Sequence, residues 1–240
     1  NHLKVVVPLE DVRIALGSDE AFYNKNIFDV VWNSIKDIKD HPAVFGYYVI
    51  DEPSTAPDMV SRITAVKKIL EAMDPKHASF SCLLGGYEDL LKTVDYQTLL
   101  IDIYPIRPGW GEDLSGFESE VQRGINNAGD RPLWVIPQVF GKPNVWLIPT
   151  PAEIRAQVWL SLAHGAKGIV YFIYQSTTQI QGESLQGLVD MKLQPMDQRL
   201  DEISKINKDL KKLAPIILKL KPAKFDIPAI SDKIEARGLI

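Results

Sequence analysis

The chain has 240 residues, of which 45% are hydrophobic and 24% charged, with a formal net charge of −4 and a single cysteine. That length suits one large α/β domain, the charge argues against a protein that tracks phosphate backbones, and one cysteine rules out an internal disulfide framework. No apolar run approaches the ~20 residues of a membrane-spanning helix, so neither a nucleic acid nor a membrane is an expected partner.

Leu3 to Pro8 is a short β-branched run that reads as a strand. The next twenty residues, with Gly17, Ser18 and Asp19, read as a long polar loop. Phe28, Val31, Trp32, Ile35 and Ile38 then recur at helical spacing up to His41-Pro42. Val44 to Ile50 is a strand that runs into Asp51-Glu52 and stops at Pro53, which offers no N–H to a ladder. Pro57 opens a helix with the stripe Met59, Ile63, Val66, Leu70 and Met73, ending at Asp74-Pro75. A strand over 78–84, a short helix over 87–94 and a strand over 99–103 follow.

Ser115 with Glu118 has the spacing of a capping box, ahead of a helix that Gly129 ends. Leu133 to Val139 is the fifth strand. Thr150-Pro151-Ala152-Glu153 is a second capping box with proline at the first helical position. Its helix stops at His164-Gly165. Gly168 to Tyr174 is the sixth strand, and Gln175 to Gln186 a polar loop. A charged helix spans about 196–213, and from Pro215 the pattern turns to prolines and short alternating segments.

Six strand–helix units in strict alternation predict an α/β fold with a parallel sheet and right-handed crossovers. A closed barrel and an open doubly wound sheet share that pattern. Long aromatic and polar loops after the strands, tight loops before them, and the lack of a Gly-x-Gly-x-x-Gly turn favour a TIM (β/α)8-type barrel. Six βα units are then visible, so the chain reads as a fragment whose first two units lie upstream of Asn1 or come from another chain. Left open, its sheet edges would favour self-association. The expected division is 1–213 for the barrel and 214–240 for a linker or the start of a β-rich domain.

In such a fold the C-terminal strand ends converge on the site. They supply Tyr48, Asp51 and Glu52, then Asp102 and Tyr104, Gln138 and Phe140, and Tyr174 with Gln175. The loops add Trp110, Trp146 and Glu183. Carboxylates, amides and aromatic faces without clustered His or Cys suit a sugar: the acids for acetal chemistry, the rest for hydroxyls and pyranose faces. Cofactors are not expected. His2, His41, His77 and His164 show no ligand spacing, so no metal site is expected either. A divalent cation on Asp51, Glu52 and Asp102, as in an enolase-type lyase or isomerase, is the third reading after a glycosidase and a silent glycan binder.

The segment from His41 to Pro53 resembles the fourth-strand segment of (β/α)8 glycoside hydrolases of the large retaining clan that includes β-galactosidases and cellulases. The run from Pro151 to Tyr174, with Ala-His-Gly-Ala-Lys-Gly inside it, looks like the seventh helix and eighth strand of the same families. The resemblance covers about residues 1–213 and assigns the visible strands to barrel positions three to eight. It implies a glycosidase acting on an oligosaccharide or glycoside, with Glu52 as acid/base, and favours a secreted or periplasmic location. Two departures stand out. Asp51 replaces the usual Asn, and the seventh strand ends on Gln138 where the family carries a nucleophilic Glu. Gln138 forms no glycosyl ester, which leaves three outcomes: Asp102 or Glu183 takes over, with a wider carboxyl gap for an inverting water; the substrate assists; or the barrel binds glycan without cleaving it.

Overall fold

A computed structural model describes residues 3–84, 93, 96–109, 114–180 and 183–220 of the chain. The elements in chain order are β1 (Val5–Pro8), α1 (Glu10–Leu16), α2 (Glu20–Ile35), β2 (Val44–Asp51), α3 (Pro57–Met73), β3 (Ala78–Leu84) and β4 (Leu99–Ile103). They continue with α4 (Ser115–Ala128), β5 (Leu133–Pro137), α5 (Pro151–Ala163), β6 (Gly168–Ile169), β7 (Thr177–Ile180), β8 (Glu183–Leu185) and α6 (Arg199–Ile217). Strands β1 to β6 follow one another in chain order in a six-stranded sheet, and β7 pairs with β8. The pairs β1–β2, β2–β3 and β5–β6 are parallel. The sequential α/β order expected from the alternating pattern is therefore present. Contacts divide the chain into two compact units, Asn1–Ile101 with Asn127–Pro132, and Asp102–Asn126 with Leu133–Ile240.

The first unit corrects the expected long loop. Val12, Ala15 and Leu16 recur at i, i+3 and i+4 and are buried, so residues 10–16 form α1. Asp19 then caps α2 by accepting from Phe22 N at 2.8 Å. Arg62, on α3, donates to the carbonyls of Leu16 and Ser18 at 2.9 and 2.7 Å, closing the end of α1. The buried stripe of α2 is Tyr23, Ile27, Val31 and Ile35. Phe28 and Trp32, expected in the core, lie 60% and 41% exposed on the flank. A period of 3.6 fits both stripes, and only packing against α1 and α3 chooses between them.

Tyr47, at 0% exposure, donates its hydroxyl to Asp74 Oδ2 at 2.5 Å, and His77 Nδ1 lies 2.7 Å from the same oxygen. Burial pushes the Asp74 carboxyl up, but the bonds from Tyr47, His77 and the Lys76 backbone outweigh it and hold it below its ordinary value. A depressed folded-state pKa stabilises above the unfolded value of about 3.9 and is lost as pH falls through the folded one. Asp74→Asn is thus expected to cost about 1–2 kcal/mol at neutral pH. Urea denaturation of variant and wild type should converge as pH drops below about 4; a gap unchanged by pH would show the charge of Asp74 to be irrelevant.

In the second unit the capping box on α5 forms as expected: Thr150 Oγ1 accepts from Glu153 N, and Glu153 Oε2 accepts from Thr150 N at 2.6 Å. The core joins Ile154, Val158 and Leu162 of α5 to Val139, Leu188, Ile203 and Ile206. Three expectations change. The sixth strand is two residues long, continued only by a bridge between Gln138 and Phe172. The polar stretch after it contains the antiparallel hairpin β7–β8. Helix α6 passes Pro215 and reaches Ile217, where Lys167 Nζ donates to the carbonyls of Ile217 and Leu220. The expected helix over 87–94 and the stretch from 221 onward lie, apart from Thr93, outside the described residues.

Candidate active site

Strand β2 delivers two acids to its C-terminal end. Its apolar run is drawn hard against β3: a Cβ on Gly46 would lie 2.3 Å from the Ala78 carbonyl oxygen and 2.5 Å from the Phe80 ring. Asp51 and Glu52 are both exposed. Glu52 holds a left-handed backbone (φ 41°), and its N–H donates to the Cys82 carbonyl at 3.1 Å. Left-handed backbone is uncommon for a residue with a long side chain and clusters at functional sites. Asp51 Oδ1 accepts the Tyr48 hydroxyl at 2.6 Å. Cys82 itself is buried, as its apolar surroundings suggest.

In the second unit Tyr104, Phe140, Trp146 and Phe172 form one aromatic cluster. Tyr104 meets the Phe140 ring edge-on at 4.9 Å and the Trp146 ring at 5.9 Å, and stacks on Phe172 at 6.3 Å. The Arg107 guanidinium and the Lys142 ammonium each lie 5.7 Å from the Trp146 ring. The Trp146 Nε1 atom is buried with no hydrogen-bond partner among the described residues, which leaves one donor available to a polar ligand or a water. Aromatic faces with a spare donor suit an amphipathic ring with hydroxyls. Phe172 was not singled out from the sequence, because it stands in an unbroken apolar run, Tyr171-Phe172-Ile173.

Gln138 and Phe140, expected among the substrate-binding residues, are both interior. Gln138 has 0% exposure and Phe140 1%. The Gln138 Nε2 donates toward the carbonyls of Ile106, Phe140 and Leu147 at 3.2, 3.2 and 2.9 Å, while its Oε1 accepts from Ile106 N at 2.8 Å. Its backbone is held by Gln157, whose Oε1 accepts from Gln138 N at 3.0 Å. The amide at the end of β5 ties two loops together, and the Phe140 ring meets Tyr104, Trp146 and Phe172 edge-on.

Asp102 is likewise interior, at 3% exposure on β4. Tyr174 is 53% exposed, and Gln175 Nε2 donates to the Met191 carbonyl at 3.3 Å. Trp110 and the Glu183 side chain lie outside the described residues. The structure thus gathers Tyr48, Asp51 and Glu52 in the first unit. It gathers Tyr104, Gln138, Phe140 and Trp146 in the second. Among the described residues no three His, Cys, Asp or Glu side chains form a group able to hold a metal ion, and no helix is long and apolar enough to cross a membrane.

Comparison with known proteins bears on this arrangement. The beta-galactosidase BgaA of Thermus sp is 31% identical over 147 residues, which cover 60% of this chain and 21% of that protein. The beta-galactosidase of Bacillus circulans sp. alkalophilus superposes with a TM-score of 0.68 at 12% identity, covering 83% of this chain and 41% of its own. That of Rahnella sp. R3 gives 0.68 at 14% identity, with 87% and 42% coverage. A Ruminococcus gnavus beta-glucuronidase gives 0.62 at 14% identity, with 78% and 36% coverage. At these identities the solved structures establish the shared fold, that of glycoside hydrolase barrels, and the chain spans about a fifth of the curated relative and about two-fifths of the solved chains. A family model, glycoside hydrolase family 42, beta-galactosidase, matches residues 58–213, well over half of the sequence. The chain belongs to that beta-galactosidase family of glycoside hydrolases.

Proposed function

We propose that the protein hydrolyses glycosidic bonds, of which β-galactosides are the first class to test, with Glu52 as general acid/base. The observation that carries this reading is Glu52 itself: an exposed carboxylate at the C-terminal end of a parallel strand, on a left-handed backbone. Parallel barrels place their chemistry at that end of the strands. Membership of a beta-galactosidase family supports the choice of reaction, and the names of the relatives support the choice of sugar. Glu52 would protonate the departing glycosidic oxygen and then take a proton from the attacking water. In the full-length protein, Glu52→Gln is expected to slow phenyl β-galactoside hydrolysis about a hundredfold or more, with sugar binding retained. Unchanged turnover would remove Glu52 from the mechanism.

A second reading, glycan binding without cleavage, is favoured by Gln138. Its amide is consumed by three carbonyls, so β5 offers no carboxylate for a glycosyl ester. A full-length wild type that binds galactosides and leaves every aryl glycoside intact would decide for this reading.

A further inference from the structure

The end of β2 is irregular in a way that bears on Glu52. Tyr48 pairs with Phe80 of β3, but Ile50 pairs with Ser81, the next residue along. Strand β2 advances two residues while β3 advances one, so Val49 is an inserted residue, a β-bulge. In an uninterrupted strand, side chains alternate between faces, so residues 48 and 51 would point to opposite sides. Tyr47, whose hydroxyl reaches Asp74 just past α3, marks the side that the helices cover. Without the insertion Asp51 would share that side. With it, the Tyr48 hydroxyl reaches Asp51 Oδ1 at 2.6 Å, across the bulge. The next residue, Glu52, then turns into left-handed backbone while its N–H stays tied to the Cys82 carbonyl. Strained backbone persists only where surrounding contacts hold it. Two bonds flank the strained residue: Tyr48 to Asp51 before it, and its own N–H to β3.

We propose that Tyr48 and Asp51 form a positioning pair for Glu52: their hydrogen bond locks the bulged end of β2 and so fixes the backbone from which the Glu52 carboxyl reaches the glycosidic oxygen. This rests on the reading of Glu52 given above. It also gives Asp51 a role other than acid or base. The carboxylate is engaged by a phenol three residues upstream, and its work is to hold the turn. The Tyr48 ring, half-buried, is the fixed side of the clamp.

The test uses the full-length protein and two substrates, phenyl β-galactoside with a basic leaving group and 2,4-dinitrophenyl β-galactoside with an acidic one. Cleavage of the glycosidic bond, reported by kcat/KM, needs a well-placed general acid only with the first. Tyr48→Phe and Asp51→Ala are each expected to lower kcat for the phenyl substrate by about ten- to a hundredfold, the scale of a small misplacement of a reacting group. The KM for the phenyl substrate and the kcat/KM for the dinitrophenyl substrate, which reports bond cleavage alone, should be unchanged. The double variant should be no slower than either single one, because one bond is lost in all three. Asp51→Asn keeps an acceptor for the Tyr48 hydroxyl and should restore most of the rate, which also guards against a folding defect in Asp51→Ala. If Glu52→Gln loses the phenyl activity while Tyr48→Phe matches wild type, the pair is overturned and the role of Glu52 stands. A KM effect confined to the Asp51 variants would make Asp51 a substrate contact and likewise overturn the pair. If Glu52→Gln keeps the phenyl activity, the reading of Glu52 fails and the positioning pair fails with it.

Discussion

Gln138→Glu is expected to destabilise the protein by about 3–5 kcal/mol without creating a nucleophile. The substitution supplies the carboxylate that the resemblance led one to expect here, yet the site is built for an amide. The Gln138 Nε2 faces three carbonyl oxygens, those of Ile106, Phe140 and Leu147, within 3.2 Å, and the residue has no solvent exposure. A carboxylate there would keep one favourable contact, the Ile106 N–H, and set a buried negative charge against three acceptors. A protonated Glu could donate to one carbonyl, so the variant would shed its charge by holding a proton. A carboxyl whose folded-state pKa is raised stabilises below its unfolded value, near 4.3, and loses that stability as pH climbs toward the folded value. The destabilisation should therefore be larger at pH 8 than at pH 5 in urea titrations. A variant as stable as wild type at both pH values, or one that hydrolyses aryl glycosides faster than wild type, would show that the β5 end is a catalytic position and not a structural tie.

Arg199→Met is expected to cost a similar amount, about 3–5 kcal/mol, and about 6–20 °C in Tm. Arg199 is 1% exposed, yet its guanidinium is fully used. Nη1 donates to the Val139 carbonyl at 2.6 Å, Nη2 to the Gly187 carbonyl at 2.8 Å, and Nε to Asp197 at 2.8 and 2.9 Å. One side chain thus ties the segment after β5 and the segment after β8 to the start of α6. Methionine fills the volume but leaves two buried carbonyls without their charged donor, and that is where most of the cost arises. Asp197, 39% exposed, can regain water, so the ion pair adds less. Arg199→Lys should recover only part of the loss, because an ammonium cannot reproduce the planar fork. Melting curves of the two variants that match wild type would show the network to be dispensable.

Different elements differ in how readily they could be read before folding. Strands β2, β3 and β4 are apolar runs bounded by Pro, Gly or a turn, and their limits in the structure lie within a residue of those expected. The α5 capping box is a contact between residues three apart, so its spacing suffices. Helix α1 was hidden because a seven-residue helix has barely two turns over which to show a period, and its end is closed by Arg62, 46 residues away from Leu16. The hairpin β7–β8 carries polar residues and little alternation. Phe172 joined the aromatic cluster through partners far from it in sequence, Tyr104 and Phe140.

The acids of β2 and the amide of β5 show the division most clearly. Residue order alone placed Asp51 and Glu52 at the end of a buried strand and indicated the α/β alternation, because strand, stop and helix are short-range patterns of apolar spacing and proline. The resemblance to glycoside hydrolase barrels, not residue order, marked Gln138 as the residue standing where a carboxylate was expected. What that amide does depended on the tertiary structure, since the carbonyl of Ile106, 32 residues away, and that of Leu147 come to it only on folding. The bulge at Val49 is of the same kind. Nothing in Tyr47-Tyr48-Val49-Ile50 announces an extra residue; pairing with β3 creates it, and so turns Tyr48 toward Asp51. Local pattern places a side chain along the chain, and hydrogen bonding between distant segments determines whether it is spent on structure or left for chemistry.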